Sequence, residues 1–348
     1  MYTLTRRSFT RIAAVAVAGV GLPDSGRNST NALRALGRNG LKVPPVGIGT
    51  NNFGSTLDAA GARLVVDAAL DNGAAFFDTA DVYGRGKSEE YLGQALGKRR
   101  PRALIATKFG GKMGGAQFPD GGASRGAVMY AAEQSLRRLG SDYIDLYQIH
   151  RPDPNVPIAE TLRALEDLVR HGKVRFAGHS NFDGRLADEA AKMSRANKIV
   201  AFTSAQNHYN LIVRDIEKDL VPACERNHVG ILPYFPLESG LLTGKYKRGE
   251  RPAEGTRLGT WAKQMPDVTG RLLSDEHFSK VERLEALGAE HGATLLEMAF
   301  GWLLSKPYVG SVIAGATKPA QVVSNVRAAS WRPSAEIDKA IDVITLQT

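Results

Sequence analysis

The chain has 348 residues, 43% of them apolar, with one cysteine and a formal charge of +9. That length and apolar share suit one large α/β domain or two small ones with a sizeable core. The lone Cys224 excludes an intramolecular disulfide and reads as a buried bystander; six arginines against one aspartate in the first forty residues supply more than half of the charge, so the remainder shows no nucleic-acid footprint.

Residues 1–30 read as a separate signal-like or disordered extension. Arg6 and Arg7, with Phe9 two places on, precede an apolar run over 12–22. Spanning a bilayer takes about 20 apolar residues, so stable membrane insertion is not expected. A basic start before a short apolar run matches an export signal, and the paired arginines resemble a twin-arginine signal, with Ala14, Ala16 and Ala18 as small residues for a peptidase. A disordered extension, or a start codon placed too far upstream, is the competing reading.

From about residue 45 onward, short apolar runs alternate with helical stretches. Strands are expected at 45–50, 75–79, 104–109, 143–150, 175–180, 202–207, 230–235 and 309–315, eight in all. They are short and largely apolar, as strands buried on both faces should be. Helices are expected at 59–72, 124–139 and 158–171, where Gly73, Gly140 and Gly172 mark the stops and Ser124 a cap. Residues 236–280 read as one long glycine-rich loop before a helix at 281–291; such loops are commonly functional. Eight strand–helix units close into a parallel barrel, so residues 31–348 form one (β/α)8 (TIM) barrel of the α/β class, with a long loop after its seventh strand. An open doubly wound sheet is the alternative, but no G-x-G-x-x-G turn follows the first strand.

Barrel enzymes build their sites at the C-terminal ends of strands. Here those ends carry Asp78, Lys108, His150, Ser180 with Asn181, Gln206 and Tyr234. Asp78 and Lys108 on adjacent strands make a natural ion pair. Tyr83 follows in the loop after Asp78, and a neighbouring ammonium would lower the pKa of its hydroxyl toward neutrality. His150 could hold a substrate oxygen or share its proton. Taken singly, each has a structural reading: a buried ion pair, a satisfied strand-end histidine, amides capping loops. The histidines do not stand at metal-ligand spacings, and no metal is expected. No nucleophile elbow and no phosphate-binding P-loop are present.

Taken in order, these segments resemble the aldo-keto reductase family over about residues 32–329. ALRALGRNGLKVPPVGIGTNNFG is similar to the family's opening β-hairpin and first strand, and FFDTADVYGRGKSEEYLGQAL to its second strand and tyrosine loop; IATKFG, DYIDLYQIHRPD, GHSNF, SAQNHYN, FPLESGLLTGKY and VIAGATKPAQVVSNV follow in family order. The resemblance implies an oxidoreductase that interconverts a small carbonyl substrate and its alcohol by hydride transfer. Its catalytic set would be Asp78, Tyr83, Lys108 and His150, with Tyr83 as general acid/base. Ser180, Asn181 and Gln206 would hold the nicotinamide carboxamide and Tyr234 would stack on the ring. Leu237, Gly240, Leu242 and Gly244, then Gly315, Thr317, Lys318, Gln321 and Asn325, would line the phosphates and adenosine. Gln321 stands where some members place an arginine for a 2′-phosphate, and Lys318 can substitute as a point charge, so NADP(H) is preferred and NAD(H) is the alternative. A sugar or secondary-alcohol dehydrogenase running oxidatively, and a non-catalytic cofactor-sensing subunit, are the other readings. Phe53, Lys112, Met113, Trp261 and Met265 are candidate substrate walls. A diffusible nicotinamide cofactor needs recycling, which favours the cytoplasm against the export reading; both localisations stay open.

Overall fold

The computed structural model describes residues 32–113, 118 and 121–346, so the signal-like segment 1–30 lies outside the described residues. An antiparallel hairpin comes first, β1 (Arg34–Ala35) against β2 (Lys42–Val43). Eight parallel strands follow: β3 (Val46–Gly49), β4 (Phe76–Asp78), β5 (Leu104–Phe109), β6 (Ile144–Ile149), β7 (Val174–Ser180), β8 (Phe202–His208), β9 (Gly230–Tyr234) and β10 (Val312–Gly315). β10 pairs with both β9 and β3, which closes the barrel and rules out the open sheet. All eight coincide with the runs expected from sequence.

The crossovers are α1 (Ala59–Asp71), α2 (Lys87–Leu96), α3 (Arg125–Leu139), α4 (Ile158–Arg170), α5 (Gly184–Asn197) and α6 (Leu220–Asn227). Their ends follow local chemistry. The side chains of Asp58, Ser124 and Asp183 accept hydrogen bonds from the first-turn N–H groups of Gly61, Ala127 and Leu186. Gly140 ends α3 at φ 56°, a conformation that costs glycine nothing. Ala62, Val65, Val66, Ala69 and Leu70 of α1 form the buried stripe against the strands.

The connection after β9 departs from the sequence expectation. In place of one loop it holds a 3-10 turn (Glu238–Thr243), α7 (Arg257–Gln264), α8 (Pro266–Leu272) and a longer α9 (Asp275–Glu290), before α10 (Leu295–Ser305). Three local signals start these helices: Thr256 accepts from Gly259 N at 3.1 Å, Pro266 occupies the first turn of α8, and Ser274 accepts from His277 N at 3.3 Å. After β10 come α11 (Pro319–Ala328) and α12 (Ala335–Leu346). No helix among the described residues is long and apolar enough to cross a membrane.

The barrel interior is layered, and the layering positions the site. Phe76, Ala106, Leu146, Leu232 and Ile313 pack together inside, and Leu36, Leu41 and Val43 of the hairpin segment close over them. Side chains two residues apart on a strand share a face. Asp78, Lys108, Gln148 and Tyr234 each follow an apolar interior residue by two, so they form the next layer toward the C-terminal mouth.

Candidate functional site

Lys108 lies at the centre of the mouth and is fully buried. Its Nζ donates to Asp78 Oδ1 at 2.5 Å, to the Thr79 carbonyl at 2.9 Å and to the Tyr83 hydroxyl at 3.5 Å. Tyr83 is delivered by a tight turn after β4, in which Gly84 and Arg85 both take positive φ. Ser88 at the start of α2 fixes that turn, bonding Thr50 and Thr79 hydroxyls at 2.8 and 2.9 Å. The His150 ring stands edge-on to Tyr83, with centroids 5.8 Å apart. Four side chains placed together by sequence reasoning are together in space.

The electrostatics correct one expectation. Burial raises the Tyr83 pKa more than Lys108 lowers it, so the hydroxyl titrates above its ordinary range and stays protonated near neutrality. Burial opposes the Lys108 ammonium as well, but Asp78 and Tyr83 outweigh it and hold its pKa above the usual lysine value. His150 is pushed down to about 3, first by burial and then by Lys108 and Arg151, so its imidazole is neutral. The arrangement offers one neutral acid, one ammonium beside it and one neutral imidazole. Among the described residues no three His, Cys, Asp or Glu side chains form a metal-binding group. Cys224 is buried and its thiol is pushed up to about 12, which leaves it inert.

A second group borders the first. Asn181, held at φ 61°, donates to the His150 carbonyl at 2.9 Å and to Ser180 Oγ at 3.0 Å, and accepts from the Tyr234 hydroxyl at 2.8 Å. Ser180 Oγ donates to the Gln206 carbonyl at 2.7 Å. The Gln206 side chain itself turns inward and donates to Asp78 Oδ2 at 2.7 Å. Tyr234 is half-buried, and His208 stacks on it with centroids 5.4 Å apart.

The remaining cofactor candidates follow β9 and β10. Gly240 and Leu242 belong to the 3-10 segment and Leu237 and Gly244 flank it; Leu242 is fully buried and its side chain serves the core. Gly315 ends β10, and a Cβ there would meet Asn52, Asn51 and Arg257 at 3.4 Å or beyond. Gln321 caps its own helix, its Oε1 accepting from Thr317 N at 2.7 Å and Lys318 N at 3.2 Å. Asn325 is buried, and its side chain has no hydrogen-bond partner among the described residues.

Sequence reasoning missed Arg257. Its guanidinium lies 5.4 Å from the Phe235 ring centroid and 5.8 Å from that of Trp261, and it donates to Asn52 Oδ1 at 3.4 Å. Burial lowers its pKa, and no carboxylate pairs with it among the described residues. A half-buried guanidinium beside Gly315 suits an anionic bridge such as a dinucleotide diphosphate. The only sequence signal would have been an arginine directly after the capping Thr256. The structure overturns Phe53 as a wall candidate and locates Met113. Phe53 is fully buried in the core, and Met113 lines a cavity of about 220 Å³ with Asp81, Phe118 and Tyr130 on the α3 side. Trp261 packs edge-on to Phe235 at 6.4 Å, and Met265 is exposed.

The family model described as the Aldo/keto reductase family matches residues 45–344. A probable voltage-gated potassium channel subunit beta from Oryza sativa subsp. japonica is 36% identical, over 90% of this chain and 92% of its own length. L-glyceraldehyde 3-phosphate reductase from Escherichia coli (strain K12) is 32% identical, over 88% of this chain and 92% of its own. Aldo-keto reductase YhdN from Bacillus subtilis (strain 168) is 32% identical, over 89% and 92%.

Proposed function

The chain belongs to the aldo/keto reductase family, and from that premise we propose that it interconverts an aldehyde or ketone and the corresponding alcohol, using NADP(H) in preference to NAD(H). The observation that carries this reading is the fully buried Lys108, whose Nζ joins Asp78 and the Tyr83 hydroxyl beside the His150 ring. A nicotinamide held by Ser180, Asn181, Gln206 and Tyr234 would supply hydride chemistry at the carbonyl carbon, in either direction. Tyr83 gives its proton to the carbonyl oxygen, so the oxygen stays on its carbon as the alcohol hydroxyl and a tyrosinate remains. Lys108 steadies that tyrosinate, Asp78 fixes Lys108, and solvent returns the proton. His150, as a neutral imidazole, donates a hydrogen bond that orients the carbonyl.

Burial keeps Tyr83 protonated, and protonated tyrosine is the reactant form for reduction. Arg257 and Lys318 are the cations that support a phosphate-bearing cofactor, Arg257 for the diphosphate and Lys318 at the start of α11 for a 2′-phosphate. Steady-state reduction of an aldehyde panel with NADPH or NADH tests the reading. Tyr83→Phe should lower kcat by about 10³ with cofactor Kd unchanged. Equal turnover by both proteins overturns it.

A second reading is a cofactor-sensing subunit without physiological turnover. It draws on the channel-subunit relatives, which at 35–36% identity are somewhat more similar to this chain than the reductases at 32%. The purified chain would then bind NADPH tightly and reduce no aldehyde in the panel.

A further inference from the structure

One buried polar chain is left over once the mouth residues have their roles. Gln148 is fully buried on β6, and Ser204 is fully buried on β8. Gln148 Nε2 donates to Asp78 Oδ2 at 3.3 Å, and its Oε1 accepts from Ser204 Oγ at 3.2 Å. The amide can sit only this way round, because the reverse would aim its carbonyl at a carboxylate. Room for the chain comes from Gly178 between the two strands, where a Cβ would stand 2.2 Å from Ser204 Oγ and 3.1 Å from Gln148 Cγ. Asp78 Oδ2 thus has two amide donors, Gln148 and Gln206, while Oδ1 is given to Lys108.

The two amides are not equivalent. Gln206 lies at the end of β8 beside Ser180 and Asn181, where the proposed function brings the nicotinamide carboxamide. Gln148 lies one layer deeper, level with Ser204 and above Leu146, and is tied from behind. An amide that engages a ligand at the mouth loosens its hold on Asp78. An unsatisfied carboxylate oxygen in that interior is costly and will keep competing for it.

We propose that Gln148 is a positioning residue that holds the Asp78 carboxylate in register with Lys108, and in doing so releases Gln206 to engage the cofactor. This rests on the proposed function for the identity of the ligand that Gln206 meets. Gln148 itself touches neither substrate nor cofactor; it acts through Asp78.

The test is Gln148→Met, which keeps the length and removes the donor. Kd for NADPH is read by fluorescence titration, and kcat and substrate KM by steady-state reduction. Hydrogen bonds to charged groups of this kind translate into a loss of about tenfold in kcat, with substrate KM within about twofold and NADPH Kd several-fold weaker. Ser204→Ala, which only unties the amide, should move kcat and Kd the same way by less, and should add nothing in the Gln148→Met background. Should Gln148→Met fail to fold, Ser204→Ala alone decides by the same signs. Unchanged kcat and Kd with only a lower melting temperature would assign Gln148 a purely structural role and overturn the proposal. If the wild type binds NADPH but reduces no carbonyl, the proposed function falls and the Kd comparison still decides this inference. If it binds no NADPH, both fall.

Discussion

Lys108→Met separates the structural from the chemical role of the central cation. The substitution keeps an unbranched apolar stem of similar length and deletes the ammonium. It leaves Asp78, 2% exposed, as a buried carboxylate without its 2.5 Å partner. Removing one member of a buried pair costs about 3–5 kcal/mol. Asp78 keeps the amides of Gln148 and Gln206, which places the cost at the low end, about 3 kcal/mol. For a domain of this size that is a fall of about 4–5 °C in melting temperature. Asp78→Asn in the Lys108→Met background removes the stranded charge and should recover most of that loss. Activity should not follow stability. A tyrosinate forming at Tyr83 has no cation beside it in either protein, so kcat should stay about 10²–10³-fold below wild type in both. Circular-dichroism melts and steady-state reduction on the same preparations read the two quantities. A double variant as unstable as the single one, or turnover that returns with stability, would refute the reasoning.

The His150 imidazole, with its pKa at about 3, and Tyr83, above its ordinary range, leave neither group titrating between about pH 5 and 9, so kcat for reduction should be flat across that window; a limb near pH 6.5 would show a titrating His150. Stability should carry two opposed slopes. His179 is buried with both ring nitrogens unpartnered among the described residues and its pKa at about 3, so its burial costs stability progressively as pH falls below 6.5, while Asp81, raised to about 7, costs stability as pH rises from 3.8 through 7. His179→Leu should therefore stabilise most at pH 4 and Asp81→Asn most at pH 8, each by up to about 4 kcal/mol in urea melts, and a reversal of those pH preferences sinks the assignment. Arg257→Met should weaken NADPH binding by about tenfold with kcat unchanged, whereas equal Kd values would remove Arg257 from the cofactor path. We further propose export through the paired arginines: a reporter carrying residues 1–30 should reach the periplasm and lose that location on Arg6→Lys/Arg7→Lys, and cytoplasmic retention of the parent fusion refutes it.

The barrel was legible because strand and helix periods are written locally. Eight apolar runs, punctuated by Gly73, Gly140 and Gly172 and by caps such as Ser124, leave little freedom once a strand must pair on both sides. The segment after β9 was misread for an equally local reason. Its glycines at 249 and 255, both at positive φ, drew attention from the caps at Thr256 and Ser274, which start α7 and α9 on either side of Pro266. Most of the mouth was legible too, since Asp78, Lys108 and Ser180 sit where an apolar run stops, whereas Gln148, inside its strand, was not.

What the sequence could not weigh is the contest between charge and burial. Read linearly, Lys108 beside Tyr83 argues for an easily formed phenolate. In the folded chain the hydroxyl and the ammonium are buried together, and Asp78, whose charge works against the phenolate, is bonded to the same ammonium. The desolvation of Tyr83 then exceeds the help from Lys108, and the tyrosine rests as an acid. The same holds for Gln206. A polar residue at a strand end can point out to a ligand or back to the layer beneath, and only the register of β7 on β8, with Gly178 making room for Gln148 and Ser204, decides that a second amide is available to Asp78. Such sharing depends on which side chains face one another across three strands. No spacing along a single strand encodes it, and the fold determines it completely.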